Sequence, residues 1–172
     1  MSFINIEIKA RTDKADKIRA FLLANNAEFK GTDFQTDTYF HTTRGRLKLR
    51  QGNIENNLIY YERENQSGPK QSNFSLLEIK EPEILKSMLA AATGVKIAVE
   101  KQREIYFINN VKFHLDIIQQ LGSFVEIEAS NKYAPLSAAQ LTEQCSFYMQ
   151  QFGIEEKDLI NVSYSDMLLE KL

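Results

Sequence analysis

The chain has 172 residues, of which 43% are hydrophobic and 26% are charged, a balance typical of a soluble protein with one hydrophobic core. Its net charge of −2 gives no reason to expect a nucleic-acid partner, and no apolar run approaches the roughly eighteen residues of a membrane-spanning helix. A single cysteine, Cys145, excludes an internal disulfide, and the N-terminus lacks a signal-peptide pattern, so we expect a cytoplasmic protein.

The first predicted element is a strand that begins near the N-terminus and stops at Arg11-Thr12. Polar and apolar residues alternate along it with the two-residue period of a strand. One face would carry Asn5, Glu7, Lys9 and Arg11, and the other would carry Ile4, Ile6 and Ile8.

A helix is predicted next, with Asp13 and Asp16 as a capped start and Asn25-Asn26 at its end. Extended segments follow over residues 28–41, 46–50 and 58–63, although the alternation in the first of these leaves open which face points inward. Residues 64–73 form a polar connection, which is either a functional loop or a plain hairpin loop.

The second half repeats this alternation of strands and helices. Strands are predicted over residues 74–80, 95–108, 111–117 and 123–129, with Asn109-Asn110 as a hairpin turn. Helices are predicted from Pro82 to Gly94, from a capping box at Ser137 and Gln140 to Gly153, and near Ser165. The total is eight strands, mostly linked by hairpins, and about four helices.

Charged residues of both signs share one face of several predicted strands, and the opposite faces are mostly Ile, Leu, Val and Phe. If helices cover the apolar faces, the strands can close into a barrel with a charged, wet lumen; an open sheet with a solvated charged face is the alternative. The charged set is Glu7, Lys9, Arg11, Arg46, Lys48, Arg50, Arg63, Lys101, Arg103, Lys112, Asp116, Glu126 and Glu128.

Arginine and lysine in such numbers favour a polyanionic ligand, because guanidinium groups pair bidentately with phosphate and ammonium groups add point charges. The carboxylates among them are explained if Mg²⁺ or Mn²⁺ links them to phosphate oxygens. Glu126 and Glu128 lie two residues apart on one strand face and could provide such oxygens with Glu7. Neutralisation of neighbouring bases in ion pairs explains the carboxylates equally well.

Seven segments together resemble the CYTH superfamily, the triphosphate tunnel metalloenzymes, and most closely its class IV adenylyl cyclase-like and thiamine triphosphatase-like branch. Each segment is short, but their order and spacing are specific, and the resemblance runs from about residue 3 to SYSD at 163–166. The segments are IEIK at 6–9, QTDTYF at 35–40, RLKLR at 46–50, GPKQS at 68–72, KQREIY at 101–106, HLD at 114–116 and LGSFVEIE at 121–128.

The resemblance implies an α+β fold, a single CYTH-like domain over residues 1–172 with a closed eight-stranded antiparallel β-barrel and helices packed outside. It implies that Mg²⁺ or Mn²⁺ binds to Glu7, Glu126 and Glu128, with Asp116 as a further or second-layer ligand. It also implies a triphosphate clamp, in which Lys9, Lys101 and Arg103 are the expected catalytic residues. The clamp would consist of Lys9, Lys48, Arg50, Arg63, Lys70, Lys101 and Arg103.

The first Glu of the family signature E-x-E-x-K is Asn5 in this chain. A neutral ligand should weaken metal binding or leave one of two metal positions poorly filled. The expected enzyme converts a triphosphate, with class IV adenylyl cyclase activity first, giving cyclic AMP and pyrophosphate from ATP. A hydrolase of thiamine triphosphate, inorganic triphosphate or a nucleotide is the alternative, and so is a polyphosphate-binding module without activity.

Other residues are less informative. His114 shares the parity of Asp116, so it is either a tunnel residue or a structural histidine. Several tyrosines could stack on a base, and an apolar patch left exposed on the helices would support a homodimer. The tyrosines are Tyr39, Tyr60, Tyr61 and Tyr106.

Overall fold

A computed structural model describes residues 2–66 and 68–172. The strands are β1 (Ser2–Arg11), β2 (Glu28–Phe40), β3 (Arg46–Gln51), β4 (Asn56–Glu62), β5 (Lys70–Glu78), β6 (Val95–Ile108), β7 (Val111–Ile118) and β8 (Gly122–Ser130). The helices are α1 (Ala15–Ala24), α2 (Pro82–Thr93), α3 (Ala138–Gln151) and α4 (Tyr164–Leu169), with a short 3₁₀ turn over Glu156–Asp158.

The eight strands form a closed antiparallel barrel in the order β1-β5-β4-β3-β2-β6-β7-β8. The first strand closes the ring, since Glu7 pairs with Lys70 of β5 on one side and with Glu128 of β8 on the other. Closure confirms the predicted fold and excludes the open sheet. In the closed barrel, the polar residues of each alternating strand face the lumen and the apolar residues face outward.

The hydrophobic core lies between the barrel and the helices. Ile8, Phe113, Val125 and Ile127 point outward from their strands and are fully buried beneath α1 and α3. Cys145 of α3 belongs to the same cluster. The apolar strand faces therefore supply the main core, and the charged faces are left to line the lumen.

One end of the barrel is closed by α4. Tyr164, the first residue of this helix, packs edge-on against Phe124 with ring centroids 4.9 Å apart. It belongs to a second apolar cluster with Tyr39, Val99 and Leu121. The cavity inside the barrel therefore runs from α4 towards the opposite end, where the loops after β6 and β8 surround its mouth.

Two expectations need correction. The capped start at Asp13 and Asp16 is wrong, because α1 begins after Lys14 and no side chain caps it. The connection predicted over residues 64–73 is shorter, since β5 begins at Lys70; Ser67 lies outside the described residues. The capping box at Ser137 and Gln140 is confirmed. None of the helices in residues 2–66 and 68–172 is long and apolar enough to cross a membrane.

Candidate active site

A cavity of about 760 Å³ occupies the barrel interior, which is the size of a small-molecule site. Eight basic side chains of the described residues reach it, from six of the eight strands or the residues next to them. Of the predicted triphosphate clamp, the cavity wall includes all but one residue. The basic lining residues are Lys9, Lys48, Arg50, Arg63, Lys101, Arg103, Lys112 and Lys132.

Asp37 of β2 lies at the centre of three of these cations. Its Oδ2 accepts hydrogen bonds from Lys48 Nζ at 3.0 Å, Lys101 Nζ at 2.8 Å and Arg50 Nη2 at 2.9 Å. Burial alone would raise the pKa of Asp37, but the surrounding charges of Arg50, Lys101 and Lys48 hold that pKa well below its usual range. The ionised carboxylate therefore draws three positive side chains to one point.

A second buried pair holds Arg103. Its Nε and Nη2 donate to the two oxygens of Asp116 at 2.7 and 2.6 Å, a bidentate arrangement that fixes the guanidinium plane. Tyr164 Oη of α4 also donates to Asp116, at 2.9 Å. Both oxygens of Asp116 are therefore occupied by protein donors, and the helix that closes the barrel is tied to the same carboxylate.

Lys9 and Glu126 face each other across β1 and β8. The Lys9 ammonium lies 3.2 Å from Glu126 Oε1 and 3.8 Å from the centroid of the Tyr164 ring. Burial lowers the pKa of Lys9, and the charge of Glu126 opposes that shift. Glu126 also accepts from Arg103 at 3.2 Å and contacts His114 Nδ1 at 3.0 Å. His114 thus faces the lumen side of the barrel, where burial lowers its pKa.

Lys70 differs from the rest of the clamp. Its side chain is 1% exposed, and Nζ has no hydrogen-bond partner among the described residues. Burial, followed by the charges of Arg63 and Lys9, lowers the pKa of Lys70 to about 7. It lies opposite Glu7 in the β1–β5 ladder, and Glu7 itself contacts the Arg63 guanidinium. Lys70 is therefore a buried amine without a hydrogen-bond partner among the described residues, next to Glu7 on the wall formed by β1 and β5.

The carboxylates suit a hard divalent cation by their chemistry. Glu7 and Glu128 are direct neighbours in the β1–β8 ladder, and Glu126 lies two residues along on the same inner face. Carboxylate oxygens are the ligands that Mg²⁺ and Mn²⁺ prefer. As the side chains stand, however, no three His, Cys, Asp or Glu residues in the described part of the chain form a group that could hold a metal.

Asn5, the departure from the family signature, is buried on this same wall. Its side-chain amide donates to Glu128 Oε1 at 3.3 Å. Asn5 therefore lies where an additional carboxylate would approach Glu128. Asp116, by contrast, does not line the cavity, and its two oxygens accept hydrogen bonds from Arg103 and Tyr164.

Sequence reasoning missed two acidic residues. Asp37 was not predicted as a site residue, because the alternation along β2 did not show which of its faces points into the barrel. Glu55 lies in the turn between β3 and β4, where it accepts from Arg50 Nη1 at 3.0 Å and contacts Lys112. Asp33 shapes that turn by accepting from the backbone N–H groups of Ile54 and Glu55, both at 2.9 Å. A turn residue shows no alternation, so the strand pattern carried no signal for Glu55.

Besides Asp116, two charged residues predicted on the inner face do not line the cavity. Arg11 is exposed at the closed end and donates to the carbonyl of Leu121 at 2.7 Å. Arg46 pairs with Asp166 of α4 at 2.8 Å. Both residues instead form contacts at the closed end of the barrel, Arg11 with the turn before β8 and Arg46 with α4.

The CYTH domain model matches residues 4–164, which is most of the chain. The chain belongs to the CYTH domain family. The predicted resemblance is thereby confirmed, and the chain has the closed barrel that the resemblance implied. A search of curated proteins finds no significant match.

Solved structures share this fold over nearly the whole CYTH chain. The PH1012 protein of Pyrococcus horikoshii is 23% identical, with a TM-score of 0.80, covering 94% of this chain and 98% of its own. A proposed adenylate cyclase from Vibrio parahaemolyticus is 20% identical, with a TM-score of 0.80 and coverages of 96% and 98%. HpAC1 from Hippeastrum, a proposed adenylyl cyclase described as having a dominant triphosphatase activity, is 14% identical, with a TM-score of 0.65 and coverages of 98% and 95%.

Proposed function

We propose that this CYTH protein is a divalent-metal-dependent enzyme that cleaves a phosphoanhydride bond of a nucleoside or other organic triphosphate. The observation that carries the proposal is the convergence of basic side chains from separate strands on one cavity that α4 closes at one end. Such a wall neutralises the charge of a polyphosphate without a covalent nucleophile, so catalysis rests on positioning and electrostatic stabilisation.

We infer the role of each basic residue from its position along the cavity. Lys9 and Lys101 lie nearest the closed end, with their ammonium groups 3.8 and 5.9 Å from the Tyr164 ring centroid. Arg103 is held rigidly beside them by Asp116. We infer that these three residues bind the end of the triphosphate that enters first and stabilise charge that develops on it. The remaining clamp residues, Lys48, Arg50, Arg63 and Lys70, bind along the chain of phosphates or support those that do.

Glu7, Glu126 and Glu128 are the residues that would hold Mg²⁺ or Mn²⁺, and the ion would supply charge neutralisation on the phosphate oxygens. A bound cation would compete with the basic partners that these carboxylates have in the structure. Asp116 contributes by fixing Arg103, because neither of its oxygens is left without a protein donor.

Of the two reactions open to such a site, the geometry supports hydrolysis best. Lys70, whose pKa is lowered to about 7, lies beside Glu7 and Arg63 in the closed half of the barrel. A buried neutral amine can accept a proton from an attacking water. Its position next to Glu7, in the closed half of the barrel, favours attack on the terminal phosphate over attack on the phosphate next to the organic group.

Cyclisation is the second candidate, and the order and spacing of the chain's motifs favour it. In this reaction the ribose 3′-hydroxyl would attack the α-phosphorus, and pyrophosphate would leave. The inner cations would then stabilise the leaving pyrophosphate instead of the terminal phosphate. The same basic wall serves both reactions, so the products decide between them.

The deciding experiment is a product analysis. Purified protein is incubated with ATP, thiamine triphosphate or inorganic triphosphate, with Mg²⁺ and with Mn²⁺ separately, and the products are resolved by ion-exchange chromatography. ADP or thiamine diphosphate with phosphate indicates hydrolysis, whereas cyclic AMP with pyrophosphate indicates cyclisation. Absence of turnover on all three substrates with both metals would overturn the proposal.

Two variants control this experiment. Glu126→Ala should abolish turnover, because it removes a proposed metal ligand that is also the partner of Lys9 and Arg103. Glu104→Gln is the matched control, since Glu104 pairs with Arg19 outside the barrel at 2.7 Å. Tight, metal-insensitive triphosphate binding without turnover would indicate a binding module instead of an enzyme.

A further inference from the structure

The open half of the cavity is built differently from the basic half. Phe3 of β1 and Phe74 of β5 are register partners, and their rings stack with centroids 5.8 Å apart at an interplanar angle of 24°. Phe74 stacks in turn on Tyr61 of β4, at 5.3 Å and 11°. Three nearly parallel rings therefore follow one another across neighbouring strands of the inner wall.

This row connects the mouth to the basic residues. The Arg63 guanidinium lies 5.3 Å from the centroid of the Tyr61 ring, and the Lys48 ammonium lies 5.8 Å from it. The inner end of the row therefore touches the triphosphate clamp, and its outer end at Phe3 lies at the mouth. A ligand bound along the row would be in contact with both parts at once.

Other apolar groups complete the mouth. Phe107 from the end of β6 and Tyr133 from the loop after β8 line the same cavity. The Lys132 ammonium lies 5.5 Å from the Phe3 ring centroid and 4.8 Å from that of Tyr133. Phe3, Phe74 and Phe107 are only partly buried, unlike the fully buried core residues under the helices.

Aromatic rings at the mouth are not needed to bind phosphate. A wall that binds inorganic triphosphate alone is best lined by cations and hydrogen-bond donors, and exposed apolar area in a wet cavity is unfavourable. Flat aromatic faces stabilise a planar ring by stacking, with little dependence on which ring it is. The two halves of the cavity thus match the two halves of an aromatic organic triphosphate.

We propose that Phe3, Tyr61, Phe74 and Phe107 form an aromatic subsite that binds the planar ring of the substrate's organic group while its phosphates point towards α4. The inference rests on the proposed function and narrows it, because inorganic triphosphate then lacks half of the contacts. The substrate class is a triphosphate carrying a heteroaromatic ring, such as a purine nucleotide or thiamine.

The test compares ligands with and without a ring. Dissociation constants for ATP, thiamine triphosphate and tripolyphosphate are measured by calorimetry in EDTA, where metal-dependent turnover does not occur. Phe74→Ala should weaken binding of the matching ring-bearing ligand by about 10-fold or more relative to tripolyphosphate, the range of base–aromatic stacking. Phe74→Leu, which keeps apolar volume but no flat face, should lose an intermediate part of this preference.

Two further variants make the test specific. Phe107→Ala changes the opposite wall and should also raise the dissociation constant of the ring-bearing ligand relative to that of tripolyphosphate. This ratio of dissociation constants can therefore still be tested if Phe74→Ala folds poorly. Phe34→Ala is the matched control, because Phe34 lies on the outer face of β2 and is 65% exposed. Its ratio should equal that of the wild type.

The outcomes separate the two proposals. If tripolyphosphate binds but the ratio is unchanged in Phe74→Ala and Phe107→Ala, the aromatic subsite is wrong and the proposed function stands. A loss of affinity for ATP, for thiamine triphosphate or for both, relative to tripolyphosphate, supports the subsite and shows which rings it accepts. If none of the three ligands binds, in EDTA or with Mg²⁺, the proposed function and the subsite both fail.

Discussion

Asp37 accepts a hydrogen bond from Lys101 at 2.8 Å, and this contact joins β2 to β6 inside the barrel. Lys48 and Arg50 of β3 donate to the same carboxylate, so one negative charge holds cations from two flanking strands. Without a counter-charge, three buried cations at this distance would repel one another. Asp37 therefore organises part of the clamp before any phosphate enters.

The first prediction concerns the loss of this charge. Asp37→Asn should lower the free energy of unfolding by about 3–5 kcal/mol, because removing one partner leaves buried charges uncompensated. Tripolyphosphate should raise the melting temperature of the variant more than that of the wild type, since the anion replaces the missing charge. Denaturant unfolding and thermal melting measure both effects. Asp16→Asn, which changes an exposed pair with Arg19, is the control; equal stabilisation of all three proteins by tripolyphosphate would contradict the prediction.

The second prediction distinguishes a positioning residue from a metal ligand. Asp116→Asn should lower kcat/KM by about 100-fold, because a misplaced Arg103 loses its alignment with the phosphates. The metal concentration needed for half-maximal activity should stay as in the wild type. Tyr164→Phe removes only the hydroxyl donor to Asp116 and should have a smaller effect. A large increase in the metal requirement of Asp116→Asn would show instead that Asp116 binds the metal.

The fold could be predicted from the sequence because the charged and apolar residues alternate over long strands. Charges of both signs on one face of strand after strand, with apolar residues on the other, favour a wet lumen with helices outside. The closed barrel excludes the open sheet that the same pattern allowed. The hairpin at Asn109-Asn110 and the capping box at Ser137 follow from local chemistry and are also present. The start of α1 could not be predicted from its acidic residues, since Lys14 caps it without a side-chain hydrogen bond.

The site was harder to predict than the fold, because parity gives the direction of a side chain but not its partner. Lys9 and Arg103 could be predicted to face the lumen, yet their pairing with Glu126 depends on how β1, β6, β7 and β8 close the ring. Lys70 appears in the sequence as another clamp residue. That its ammonium has no hydrogen-bond partner among the described residues is seen only in the folded barrel.

The third prediction uses the pKa of Lys70, which is lowered to about 7. If the neutral amine accepts a proton from water, kcat/KM should rise as the pH passes through about 7 and then level off. Lys70→Arg keeps the positive charge at all accessible pH values. Its kcat/KM should therefore not rise through about pH 7, and most of the activity should be lost. A pH profile unchanged by Lys70→Arg would contradict the assignment.

The fourth prediction concerns stability at the same residue. Because the folded pKa of Lys70 lies below its unfolded value, protonation favours the unfolded state: the penalty is fully present below about pH 7 and is relieved as the pH rises towards about 10.5. Lys70→Met should therefore gain more stability at about pH 6 than at about pH 9. Denaturant unfolding at both values measures the difference. Lys157→Met, which changes an exposed lysine, should show no such dependence, and equal gains at both values for Lys70→Met would count against the lowered pKa.

The fifth prediction returns to Asn5, whose amide donates to Glu128 at 3.3 Å. In Asn5→Glu a second carboxylate replaces this donor, so the two acids should repel and lower the melting temperature when no divalent cation is present. Mg²⁺ or Mn²⁺ should restore it and bind about 10-fold more tightly than to the wild type, since affinity rises with the number of charged ligands. Calorimetry and melting curves with each metal measure both effects. Asn57→Glu adds the same charge to another wall of the cavity and should leave metal affinity near that of the wild type. If Asn5→Glu binds metal no better than this control, residue 5 does not stand at a ligand position, and the metal must be held without it.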